Sequence, residues 1–309
     1  MITQLPLTPE RIYLTDGGLE TTLIFHDNID LPCFAAFDLL KDEAGRETLR
    51  RYFRRYASMA VESECGFIFE SPTWRASRDW GAALGYDATR IAAFNREAIK
   101  LMDSLRTEYE NENSPMAVSG NIGPRGDGYV VGKQMTVEES RAYHQHQVDA
   151  LAAAGADLIS AITMTYVEEA IGIVEAARRQ GCPTVIGFTT ETDGKLPSDM
   201  SLEDAIRAVD DATDHGPAYY MVNCAHIDHF SASLADDAKW TQRVRGIRAN
   251  ASRMSHAELD EAEELDDGNP QEFGDLCRQL HQRFPKLFVF GGCCGTDHRH
   301  VDAARLAIC

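Results

Sequence analysis

The sequence predicts an α/β protein folded as a (β/α)8 TIM barrel. Three observations carry this: eight short runs rich in β-branched and aromatic residues, amphipathic stretches of helical period between them, and no Pro/Ser-rich linker or internal repeat dividing the 309 residues. Several of the runs are continuously apolar, as strands covered on both faces must be. The count of eight strand–helix units then favours a closed barrel, and residues 1–309 read as one domain.

In chain order the strands are expected at Ile12 to Thr15, Phe67 to Glu70, Met116 to Ser119, Leu158 to Ile162, Thr184 to Thr189, Tyr219 to Asn223, Val244 to Arg248 and Leu287 to Phe290. Helices announce themselves by apolar residues three and four apart. These are Leu49, Phe53, Tyr56 and Ala60; Ile91, Phe94, Ala98, Leu101 and Leu105; Val167, Ala170, Ile171, Val174 and Ala177; and Phe273, Leu276, Leu280 and Phe284. Thr136 with Glu139 has capping-box spacing, and Ser201 with Asp204 resembles it, which marks the starts of the third and fifth barrel helices. Gly155 and Gly181 stand where helices should stop, and a last short helix is expected over Asp297 to Cys309.

With 44% hydrophobic and 26% charged residues the chain can bury a large core, which excludes disorder. A formal charge of -19 repels phosphate backbones and anionic lipid, so small molecules rather than nucleic acid or membrane are the expected partners. Part of that charge lies in the run Glu258 to Asp267, read as a solvated surface segment without chemistry. No apolar stretch reaches the ~18 residues of a membrane span, and Met1 to Pro9 lacks the pattern of a secretory signal; a cytoplasmic address is expected. In that reducing setting eight cysteines argue against a disulfide framework, so each is read as core filler, metal ligand or nucleophile.

Barrel enzymes gather their chemistry where strands end at the C-terminal face. The segments there are Thr15 to Thr21, Ser119 to Pro124, Asn223 to His226 and Gly291 to Thr296. Cys224 and the vicinal Cys293 and Cys294 each follow a strand, so three sulfurs can meet at one mouth. Such a set suits tetrahedral Zn²⁺ with a fourth position open to substrate. A vicinal disulfide or three inert thiols fit the same residues, since the usual C-x-x-C spacing is absent. Asp16 and Glu20 allow a metal-free lyase or hydrolase built on two carboxylates. His144 and His146, two apart on a helix, cannot face one ligand, and His298 and His300 are expected on the surface of the last helix. His226, nearest the sulfurs, is a candidate for substrate contact, and Trp74, Trp80 and Tyr129 are candidates for a pocket wall, since aromatic faces attract cations.

The segments Val222-Asn223-Cys224 and Gly291-Gly292-Cys293-Cys294-Gly295-Thr296 resemble the metal-ligand motifs of the zinc-dependent homocysteine S-methyltransferases, in order and in barrel position. Asp16-Gly17-Gly18-Leu19-Glu20-Thr21, Ser119 to Pro124 and Glu191 to Ser198 extend the resemblance over nearly the whole chain. It implies Zn²⁺ on Cys224, Cys293 and Cys294, with Asp16 and the backbone of Gly17 on the substrate ammonium and Asn223 beside the metal. It further implies a reaction in which homocysteine's thiol, deprotonated at the metal, takes a methyl group from a sulfonium or quaternary ammonium donor and becomes methionine. One position departs. Where the family usually carries a glutamate at the end of the fourth strand, this chain has Ile162, which leaves Thr163 or Thr165 as weak substitutes or points to another thiol or selenol as acceptor. A zinc-binding or redox-responsive barrel without turnover is the alternative outside enzymes.

Overall fold

In a computed structural model that describes residues 4–309, eight parallel strands close in chain order into a barrel: β1 (Tyr13–Leu14), β2 (Gly66–Glu70), β3 (Met116–Ile122), β4 (Leu158–Met164), β5 (Thr184–Phe188), β6 (Tyr219–Asn223), β7 (Val244–Ala249) and β8 (Val289–Gly292). The seam is the pairing of Tyr13 with Val289 and Leu14 with Phe290. Each predicted strand is present. β1 and β8 differ most from expectation, β1 by shrinking to two residues and β8 by shifting toward its glycines.

Strand side chains alternate between two cores. Phe67, Phe69, Ile159, Ala161, Tyr220, Val222 and Ile247 pack outward against the helices. Ile68, Leu158, Ile162, Tyr219, Met221 and Val289 fill the barrel interior. The same period of two aims Glu70, Ile162, Asn223 and Arg248 inward at the C-terminal end, so that polar groups gather above an apolar plug.

Outside the strands lie the helices Glu43–Glu62, Ala88–Tyr109, Val137–Ala153, Val167–Arg179, Leu202–Thr213, Pro270–Arg283 and His298–Ile308, with a short Ile227–Phe230 helix after β6. The capping box is present: Glu139 N–H donates to Thr136 Oγ1 at 3.2 Å and Thr136 N–H to Glu139 Oε2 at 2.8 Å. Ser201 likewise accepts from Asp204 N–H, and Gly155 and Gly181 end their helices in left-handed backbone. No helix among the described residues is long and apolar enough to cross a membrane.

Three expectations are corrected. His300 is not on a surface: it is fully buried, with Nε2 donating to the Asp267 carbonyl at 2.8 Å, because it closes the Asp297 capping box at the start of the last helix. Cys65 and Cys309 meet as a pair that the sequence reading did not foresee, since the last helix brings the end of the chain beside the residue preceding β2. The acidic run is only partly a solvated face. After the His256–Glu261 helix it bends over the barrel mouth, where Leu259, Asp260, Ala262, Glu264, Leu265 and Asp266 line a cavity.

Candidate active site

β7 organises the sulfur cluster. Its end supplies carbonyls to both flanking loops: Cys224 N–H donates to Arg248 O at 3.0 Å and Cys293 N–H to Ala249 O at 2.8 Å. Cys224 adopts a left-handed φ of 53°, costly for a residue with a Cβ, which turns its thiol into the mouth. Gly18 permits the first loop to pass close behind; a Cβ there would stand 2.6 Å from the Cys293 carbonyl oxygen. The Cys224 and Cys294 sulfurs are 3.7 Å apart, and all three ligand atoms lie within 4.8 Å of one another. Hydrogen bonding among the thiols, with Arg248 nearby, holds Cys293 well below the ordinary thiol range, while donation to Cys293 pushes Cys224 up. Three soft donors so placed, with no fourth in the cluster among the described residues, can hold a metal ion and leave a position open.

Two groups buttress the sulfurs: Tyr129, expected only as an aromatic pocket wall, and His256, which the sequence reading passed over. Tyr129 Oη donates to Cys294 Sγ at 3.1 Å, and its ring stacks on His256 at 4.1 Å between centroids. His256 Nε2 donates in turn to the Cys224 carbonyl at 2.9 Å, and its Nδ1 lies 3.1 Å from Glu191 Oε1. The Ser255-x-x-Glu258 capping box, present in the sequence, marks the helix start that places His256. His226 plays no such part. It is buried as the cap of the Ile227–Phe230 helix, with Nδ1 accepting from Asp228 N–H, and it does not line the site.

Beside the sulfurs is a small pocket of about 60 Å³ whose charged lining is Asp16, Glu20, Glu70 and Arg248. The expectation for Asp16 changes here. Its Oδ1 is 2.9 Å from Arg248 Nη2 and its Oδ2 accepts from Tyr52 Oη at 3.1 Å, so its charge is already met by the protein. Arg248 also donates from Nε to the Gly292 carbonyl and from Nη2 to the Gly17 carbonyl, leaving Nη1 buried without a partner. Glu70 Oε2 is likewise buried and unpartnered. Desolvation raises the carboxyl pKa of Asp16 and Glu70, and pushes Glu20 up to about 7.

Asn223 does not line this pocket. Fully buried, it accepts at Oδ1 from Thr163 N–H and donates from Nδ2 to Thr163 Oγ1, both at 2.8 Å. Thr163 sits at φ 63° where the β4–β5 register shifts, so Asn223 acts by holding a bulge beside Ile162. Ile162 itself lines the pocket, as an apolar wall. Outward from the sulfurs is a second cavity of about 440 Å³, which shares Trp74, Thr163, Cys224 and Cys294 with the first and adds Phe25, Trp80 and Tyr129. Trp74 and Trp80 both reach it, but the cation over their rings is the protein's own: Arg75 Cζ is 4.3 Å from one ring centroid and 3.8 Å from the other.

Fold and site together define a barrel enzyme whose chemistry is centred on sulfur. A model of the homocysteine S-methyltransferase family matches residues 13–308, and the chain belongs to that family of methyltransferases. Homocysteine S-methyltransferase of Escherichia coli (strain K12) is 23% identical over 97% of this chain and 96% of its own, and homocysteine S-methyltransferase 1 of Arabidopsis thaliana is 21% identical over 94% and 91%. Among solved structures, the metallated form of the homocysteine methyltransferase MmuM from Escherichia coli shares the fold with a TM-score of 0.74, at 19% identity over 96% of each chain.

Proposed function

We propose that the protein transfers a methyl group from a sulfonium or quaternary ammonium donor to the sulfur of homocysteine, giving methionine, with Zn²⁺ held by Cys224, Cys293 and Cys294. The observation that carries this reading is the convergence of three thiols on a pocket with the charges of an amino acid's complement. Bound there, Zn²⁺ supplies the positive charge that keeps a substrate thiol deprotonated at neutral pH. The chain's residues do the rest. Arg248, fixed by Asp16, presents its free Nη1 to the substrate carboxylate, while Glu70 and Glu20 face the ammonium. The carboxylate that Ile162 removes from β4 is thereby replaced from across the barrel, by β2 and the first loop. In the transfer the acceptor sulfur–carbon bond forms as the donor's carbon–heteroatom bond breaks, and the electron pair leaves with the donor, now a neutral thioether or tertiary amine. Tyr129 and His256 hold the sulfur-bearing turns in place while this happens.

Ile162 also favours a second reading, another thiol or a selenol as acceptor. A carboxylate-pair hydrolase built on Asp16 and Glu20 loses support, because Asp16 is committed to Arg248 and Tyr52. The test is the zinc content of protein purified under reducing conditions, wild type beside Cys224→Ala, followed by the response of the metal's absorption edge to homocysteine. About one zinc per chain, lost in the variant and perturbed by homocysteine, is expected. Zinc indifferent to homocysteine would shift the acceptor to another thiol, and no zinc in fresh reduced protein would overturn the proposal.

A further inference from the structure

Asn121 is 7% exposed and continues the inward-facing series of β3 that begins at Ala117 and Ser119. Its backbone is engaged on both sides: the N–H donates to Ser71 Oγ at 3.0 Å, and the carbonyl accepts from Thr73 Oγ1 at 2.6 Å. Its side chain is not. Oδ1 is buried without a hydrogen-bond partner, and the residue lines the small pocket beside the sulfurs. A buried amide oxygen left in this state costs stability that no contact within the protein recovers. The strand register shows where it stands. Glu70 of β2 pairs with Ser119, and Asn121 pairs with Ser160 of β4, so Asn121 lies between the inward positions of Glu70 and Ile162. Glu70 Oε2 is an unmet acceptor on the same side, whereas the unmet donor, Arg248 Nη1, comes from β7, which stands opposite β3 in the ring of eight strands.

We infer that Asn121 is a specificity-determining residue for the acceptor: its Oδ1 takes a hydrogen bond from the substrate ammonium, beside the place where Ile162 carries no carboxylate. The inference rests on the methyl-transfer reading and adds to it a residue outside the sulfur set and the charged lining. A primary ammonium has three N–H donors; Glu70 and Glu20 supply partners for two, and Asn121 for the third. Being neutral, the amide does so without adding a negative charge to a desolvated pocket that already holds Asp16, Glu20 and Glu70. A deaminated acceptor leaves Oδ1 buried and unmet, and the site rejects it for that reason.

The experiment measures, by calorimetry under reducing conditions and without methyl donor, the binding of homocysteine, of 4-mercaptobutanoate, which lacks the ammonium, and of 3-mercaptopropylamine, which lacks the carboxylate. The proteins are wild type, Asn121→Leu and Asn121→Asp. Asn121→Leu is expected to weaken homocysteine and 3-mercaptopropylamine by about 10-fold each, the size of one hydrogen bond to a charged group, and to leave the Kd of 4-mercaptobutanoate within about twofold. Asn121→Asp, which keeps the shape and an acceptor oxygen, should favour both amines over 4-mercaptobutanoate at least as strongly as wild type does, and it carries the test should Asn121→Leu not fold. An equal fall for all three thiols in Asn121→Leu would reduce Asn121 to a structural part and overturn the assignment. A selective fall for 4-mercaptobutanoate would give the amide to the carboxylate instead, and loss of the amine preference in Asn121→Asp would overturn it as well. Homocysteine bound with the same selectivity in all three proteins removes Asn121's role and leaves the methyltransferase reading intact, whereas a wild type that binds none of the three thiols sinks both.

Discussion

Burial acts on the carboxyls of Glu20 and Asp297 in the same direction, but only Asp297 has partners that reverse it. At Glu20 desolvation prevails and its pKa rises to about 7. The folded state therefore holds this proton more tightly than the unfolded chain, so the group costs no stability below its unfolded pKa of about 4.3. The cost grows as pH rises toward 7 and is complete above it. Glu20→Gln should accordingly stabilise the reduced, metal-free protein by roughly 1–2 kcal/mol at about pH 8 and by nothing measurable near pH 4, in urea denaturation. An equal effect at both pH values would show that Glu20 is not desolvated. At Asp297 burial is outweighed by hydrogen bonds from the Arg299 guanidinium and backbone N–H, which hold the carboxyl well below the usual carboxylate range. Its contribution is present above its unfolded pKa of about 3.9 and fades as the solution is acidified further, so Asp297→Asn should flatten the acid limb of the stability curve. An unchanged limb would place the acid sensitivity elsewhere.

At the level of the strand, the β4 bulge is the element most exposed to a single change. Asn223→Ala removes both bonds to Thr163 and leaves a buried N–H without an acceptor, a loss of about 2–3 kcal/mol. Because the bulge shapes the pocket wall at Ile162 and Thr163, the acceptor's KM should rise more than kcat falls, as steady-state kinetics at varied homocysteine would read. A fall in kcat alone would mean that Asn223 acts on the reacting atoms instead. The strands and helices themselves were readable in advance because apolar period and caps are local properties of the chain: Tyr219–Asn223 and the Thr136 box needed no tertiary information. The sulfur set was readable for a related reason, since each cysteine directly follows a strand. Pairings across the barrel were not. That Asp16 meets Arg248 and that Asn223 faces Thr163 depend on residues brought together only by closure. A signal did exist for Arg248 and Glu70: a charged residue at an inward position of an otherwise apolar strand is costly unless used.

For the molecule as a whole, the proposed metal ties together two loops whose three sulfurs otherwise repel as they ionise. An ion that binds the folded triad and not the dispersed thiols raises stability by mass action. Chelation under reducing conditions should therefore lower the wild-type Tm by several degrees and leave that of Cys224→Ser unchanged. A chelator-insensitive wild type would mean that the triad is not occupied in solution.

The seam of the barrel sets the order in which this centre can come into being. Cys224 follows β6, whereas Cys293 and Cys294 follow β8, which closes the ring against the two residues of β1. A ribosome that has released seven strands has therefore delivered one sulfur of the three. No intermediate of synthesis can chelate with the full set, and the last strand to emerge completes the wall and the ligand sphere in one event.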